Sequence, residues 1–235
     1  MHFPIIDYYR FFAAFTVCIA HYFIVVSNDP IYEFLAILGV ELFFPLSGFV
    51  LASQLSRLES NINLAKIFFI RRWMRTIPAY IVALLSAAII YDAGSFFNLI
   101  KFTTYTQNIV TDNSIPNFFN IAWSLSIEEW FYLTLPALLW LLLKTNIKIG
   151  QKLVWICFSI IIIGLIAKIL MSPPPDLWGE YIRRSVIYRI DALCYGVLAF
   201  LWGDKISTYF ATLVILLFLT FISYLLLNPL ILATS

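Results

Sequence analysis

Arg10 and His21 combine a permanently charged guanidinium with a ring that titrates near neutrality, and both lie inside one long apolar stretch. On a helix their spacing is almost three full turns, so the two side chains share a face and stand about 16 Å apart along the axis. Each ionisable group in a membrane span costs roughly 2.5–3.5 kcal/mol, so two on one face argue for a polar cavity. His21 suits a general base that activates a hydroxyl; the plainer reading is a hydrogen-bonded structural histidine. Asp7, three residues before Arg10, can simply neutralise it.

Two further sets of residues invite chemistry. Arg72 and Arg75, at i and i+3, would present paired guanidinium groups to a phosphorylated cytosolic ligand. The alternative is that they mark a cytoplasmic loop and bind lipid phosphates. Glu128 and Glu129 lie in Trp123-Ser-Leu-Ser-Ile-Glu-Glu-Trp-Phe-Tyr132. Ser126 with Glu129 reads as a capping box and Leu125 with Trp130 as its hydrophobic staple, which leaves Glu128 on another face without a partner. Arg189 and Asp191 point in different directions on a helix and need separate partners.

The elements that must position these groups are membrane helices. With 62% apolar and only 12% charged residues, the chain would present too much apolar surface to water. Apolar runs of spanning length fall at 5–26, 35–53, 76–91, 121–143, 153–171, 186–203 and 208–227, giving an all-α polytopic transmembrane bundle of about seven spans. Residues 1–235 read as one domain. The net charge of +2, spread among acidic residues, gives no nucleic-acid footprint. The first apolar segment reads as a retained helix, because it carries Asp7 and Arg10 and lacks a small-residue cleavage site. Cys18, Cys157 and Cys194 have no metal-ligand spacing and read as buried, inert thiols; no metal is expected.

Loop charge sets the orientation. Residues 54–75 and 144–152 are rich in Lys and Arg and are placed in the cytoplasm with the N-terminus. Segments 27–34, 92–120 and 172–185 fall outside, the last straining the rule with Arg183 and Arg184. The long 92–120 connection has the profile of a lid or binding loop. Sorted by depth, Asp7, Arg10, Arg71, Arg72 and Arg75 form an inner layer. His21, Glu41, Glu128, Glu129, Lys168, Arg189 and Asp191 form an outer one.

Five motifs in this order resemble the acyltransferase-3 family of membrane acyltransferases: Asp7-Tyr-Tyr-Arg10 with His21, Gly39-Val-Glu-Leu-Phe-Phe-Pro-Leu-Ser-Gly-Phe49, Arg71-Arg-Trp-Met-Arg-Thr-Ile-Pro-Ala-Tyr80, Trp123 to Tyr132, and Arg189-Ile-Asp191 with Gly196. The resemblance covers residues 5–200. It implies transfer of an acyl group, usually acetyl, from acyl-coenzyme A to a hydroxyl of an extracytoplasmic glycan or lipid-linked sugar, in the cell (inner) membrane. It further implies His21 as the essential histidine with Arg10 its companion, Arg72 and Arg75 (with Arg10) on the coenzyme side, and Glu128 and Glu129 as catalytic carboxylates. Ser124, Trp123 and Asp191 would serve the acceptor. Tyr8 and Tyr9 replace a usual Gly-Leu, and Trp130 stands where Gln is common. Members usually have ten spans, so three C-terminal spans are expected to be missing.

In the mechanism this implies, the coenzyme's phosphates meet Arg72 and Arg75, and its arm runs along the Arg10–His21 face. His21 deprotonates the acceptor, with Glu128 or Glu129 orienting the imidazole. Direct transfer and an acyl-enzyme relay both remain open. Rival readings are a proton-coupled exporter of a polysaccharide component, which would call for related halves that the sequence does not display, and a membrane scaffold.

Overall fold

The computed structural model describes residues 4–27, 29–57, 62–91, 95–110, 118–119, 121–142, 145–171 and 179–203. Within them the chain is helical, with α1 (Pro4–Ser27), α2 (Pro30–Leu55), α3 (Ile62–Tyr91), α4 (Phe96–Thr103), α5 (Ala122–Leu141), α6 (Ile149–Met171), α7 (Val186–Arg189) and α8 (Asp191–Trp202). By length and composition α1, α2, residues 67–91 of α3, and α6 can each cross a membrane.

α1 and α2 form a hairpin. Pro30 starts α2 where no N–H is needed, and the Asp29 carboxylate caps it by accepting from the Ile31 amide at 3.0 Å. Gly39 brings α1 close, since a Cβ there would stand 2.6 Å from Val17 Cγ2 and 2.9 Å from the Ala13 carbonyl oxygen. A closer contact joins α2 to α8. A Cβ on Gly48 would collide with the Leu193 carbonyl, and one on Gly196 with the Pro45 carbonyl, so both glycines are needed for the two backbones to touch. α6 packs on α8 and α5 on α6. Phe44, Leu51, Phe131, Leu135, Leu153, Leu193 and Val197 fill the space between these helices and are fully buried.

The expected spans need two adjustments. α3 begins at Ile62 rather than near 76, so Arg71, Arg72 and Arg75 belong to a helix and not to a cytoplasmic loop. The expected span at 186–203 is interrupted at Ile190, between Arg189 and Asp191. α8 alone, at 12 residues, reaches about 18 Å, short of a hydrocarbon core of about 30 Å. The run at 208–227 lies outside the described residues. Cys157 and Cys194 are buried as expected, but Cys18 is exposed.

Candidate active site

Three cavities follow one another along α1. The first, about 530 Å³, is lined by Asp7, Arg10, Gln54, Arg57, Arg71, Arg72, Arg75 and Tyr132 among others. The second, about 200 Å³, is mostly apolar, with Ala14, Val17, Val40, Phe43, Phe44, Ser124, Leu125 and Glu128 in its wall. The third, about 290 Å³, has Val17, His21, Ile24, Glu33, Val40, Trp123, Ser124, Arg183 and Arg184. On α1 the lining positions 7, 10, 14, 17, 21 and 24 advance by three or four, which is one helix face. α5 runs the other way, from Tyr132 through Glu128 to Ser124 and Trp123. The expected Arg10–His21 face is therefore the wall of a cavity series, basic at one end and holding the histidine at the other.

The basic cavity brings together all five residues expected in the inner layer, but its arginines differ in kind. Arg75 and Arg71 are exposed, while Arg72 is buried. The Arg72 guanidinium donates to Glu128 Oε2 at 3.2 Å and to Glu129 Oε1 at 3.0 Å, and it lies 3.4 Å over the Tyr132 ring. Trp73 Nε1 donates to Glu129 Oε2 at 3.3 Å, and the Tyr132 hydroxyl donates to the Ser47 carbonyl at 3.2 Å. Two carboxylates so deep in the bundle need a cation, and Arg72 supplies it to both. The Arg72–Glu128 bridge also links a residue of the basic cavity to a residue of the apolar one. Arg10, on the opposite wall, sits 5.1 Å over Phe43.

At the other end, His21 Nδ1 lies 2.8 Å from the Val17 carbonyl oxygen. A carbonyl only accepts, so Nδ1 carries the proton, and in the neutral ring Nε2 keeps its lone pair. The expected contact of His21 with Glu128 or Glu129 is not made: the carboxylates bond Arg72, and the imidazole is held by its own helix. Glu128 and Glu129 are thus tied through Arg72 to the inner, basic layer. Sorting by depth does not reveal this pairing, because a long arginine reaches across the boundary between layers. Trp123 and Ser124 do share a cavity with His21. Trp123 carries the Arg183 guanidinium 5.3 Å over its ring and meets Phe44 edge-on. Asp191 lines none of these three cavities; its Oδ2 accepts from Lys168 Nζ at 2.6 Å, while Arg189 pairs with Glu41. Arg189 and Asp191 do have separate partners.

The capping box is not formed. α5 begins four residues before Ser126, whose hydroxyl donates to the Ala122 carbonyl at 3.2 Å and accepts from Gln107 Nε2 at 2.5 Å. Asn108 Nδ2 donates to the carbonyls of Trp123, at 3.0 Å, and Arg184, at 2.6 Å, while the Asn108 carbonyl accepts from the Val186 amide at 2.8 Å. These residues of the long connection brace the start of α5 against α7. Tyr105 beside them has a left-handed backbone, φ 57°, and its carbonyl accepts from Trp130 Nε1 at 2.9 Å. Burial, reinforced by the Glu129 carboxylate and opposed by Arg72, pushes its phenol up to about 12, so it stays neutral. Sequence reasoning missed Trp73, Gln107, Asn108, Glu33 and the two arginines 183 and 184. The one available signal was the positive charge that made 172–185 break the loop pattern.

The family described as an acyltransferase domain matches residues 3–235 of this chain. The chain is 32% identical over 184 residues to proteins of Staphylococcus aureus strains COL and MRSA252 that carry the provisional name O-acetyltransferase; the match takes in 70% of this chain and 30% of each relative. It is also 32% identical over 190 residues to the peptidoglycan O-acetyltransferase OatA of Listeria monocytogenes, covering 70% of this chain and 29% of that protein. The chain thus aligns with less than a third of the length of these curated relatives. No solved structure gives a significant match. The match over nearly the whole chain and the motifs lining the cavity series agree: this chain belongs to the acyltransferase-3 family of membrane acyltransferases.

Proposed function

We propose that this chain is the membrane-embedded part of an O-acyltransferase that takes an acyl group, acetyl by preference, from cytosolic acyl-coenzyme A and delivers it to a hydroxyl of an extracytoplasmic glycan or lipid-linked sugar. The observation that carries this reading is the order of the three cavities. A basic chamber suited to the coenzyme's phosphates leads, over a narrow apolar middle suited to an uncharged pantetheine arm, to a chamber holding His21.

In this reading Arg75, Arg71 and Arg10 meet the phosphates from the cavity wall. Arg72 holds that wall in shape through Glu128 and Glu129, which makes the two glutamates positioning residues. His21 Nε2 takes the proton of the attacking hydroxyl, and the Nδ1–H bond to Val17 fixes the tautomer and orientation that leave the Nε2 lone pair available. Trp123 gives a sugar ring an apolar face to stack on. The N-terminus lies in the cytoplasm and the His21 chamber opens outward, in the cell membrane.

The relatives' printed names support an acetyl group and, in the Listeria protein, a peptidoglycan acceptor. The test is purified chain in liposomes given radiolabelled acetyl-coenzyme A and a muropeptide or other glycan acceptor. Acceptor-dependent appearance of labelled ester is expected. Transport of the glycan with no ester formed would instead favour an exporter.

A further inference from the structure

The apolar middle cavity and the His21 cavity share three lining residues, Val17, Val40 and Ser124, and of these Ser124 alone carries a nucleophilic atom. It stands one helical turn before Glu128 on α5, so both side chains share a face. The neighbouring Ser126 differs sharply: its hydroxyl is fully buried and engaged by both Ala122 and Gln107. Among the described residues no hydrogen bond is formed by the Ser124 side chain, and it is partly open to the cavities. A hydroxyl left free at the junction of a donor path and an acceptor chamber, in the same chamber as an imidazole with an available lone pair, has the components of an activated nucleophile.

We propose that Ser124 is the acyl-carrying nucleophile of a two-step transfer; this rests on the acyl-coenzyme A reading above. In the first step Ser124 Oγ bonds to the thioester carbonyl carbon and the carbon–sulfur bond breaks. The serine proton passes to His21 Nε2 and from there to the departing coenzyme sulfur. In the second, the acceptor hydroxyl oxygen attacks the Ser124 ester and its proton goes to Nε2. The bond between the acyl carbon and Oγ then breaks, and Oγ recovers the proton. Nothing is oxidised or reduced, and the only co-reactants are the acyl-coenzyme A and the alcohol. The arrangement solves a geometric problem. The coenzyme and the glycan approach from opposite ends of a narrow passage, and a serine at the junction lets them react in turn instead of meeting there together.

The experiment incubates the full chain in liposomes with radiolabelled acetyl-coenzyme A and no acceptor, quenches in acid, and maps any retained label by digestion and mass spectrometry. Label on Ser124 that hydroxylamine releases, with incorporation of separately labelled free coenzyme A into acetyl-coenzyme A, is the expected result. Ser124→Ala should lose both. Ser124→Cys should regain a label, now as a thioester, which a merely structural serine would not produce. Label on another residue, exchange that needs the acceptor, or undiminished transfer by Ser124→Ala overturns the serine relay and leaves the donor reading standing. Failure of the wild-type chain to bind acetyl-coenzyme A at all overturns both.

Discussion

The helix core and the α1 face treat charge in opposite ways. Where α2, α3, α5, α6, α7 and α8 meet, ionised groups are spent on one another: Arg72 on Glu128 and Glu129, Lys168 on Asp191, and Arg189 on Glu41. Along α1, Arg10 and His21 face cavities, and His21 takes its fixing bond from its own backbone. Pairing in the core holds the bundle together and leaves little for a ligand. Charge on the cavity wall contributes little packing and remains available to one. A buried charge is therefore a sign of function only after its partner has been found.

Breaking the core should have the largest effect. Arg72→Ala leaves two buried carboxylates without their cation, a loss of about 3–5 kcal/mol. The expected outcome is a large drop in folded yield and in thermal unfolding temperature, with Arg72→Lys recovering only part, since an ammonium cannot reproduce the guanidinium's planar contact with Tyr132. An Arg72→Ala protein as stable as wild type and defective only in coenzyme binding would move Arg72 from the core group to the cavity group.

Arg75 should behave in the opposite manner. It is exposed on the same helix, and Arg75→Ala should leave thermal stability unchanged while raising KM for acyl-coenzyme A about ten-fold, the equivalent of about 1.4 kcal/mol for one charged phosphate contact. The two arginines lie one turn apart, so this pair of substitutions sharpens the comparison within a single helix face. Equal effects of the two substitutions on stability and KM would erase the distinction.

The α1 face was legible because helical periodicity alone fixes which residues share a side, and the lining positions from Asp7 to Ile24 follow it. The inner basic layer was legible for the same reason, with loop charge added. Pairing across helices was not. Arg72 and its glutamates are 56 and 57 residues apart, and no local rule selects that partnership over the many others a bundle allows. The capping reading of Ser126 failed because Gln107 and Asn108 tie the start of α5 to other segments, a tertiary constraint that extends the helix upstream of the serine. Gly48 and Gly196 could be noticed as motif residues, but only the α2–α8 contact explains why a side chain is excluded there.

The central claim is that coenzyme recognition and proton transfer occupy different ends of one cavity series, so they must separate on substitution. The direct measurement is equilibrium binding of acyl-coenzyme A alongside turnover with a glycan acceptor, in His21→Ala against wild type, both in liposomes. Binding should be nearly unchanged while turnover falls by about 10²–10⁴-fold, the contribution of a general base. Parallel loss of binding and turnover with lowered thermal stability, or full retention of turnover, would contradict the account.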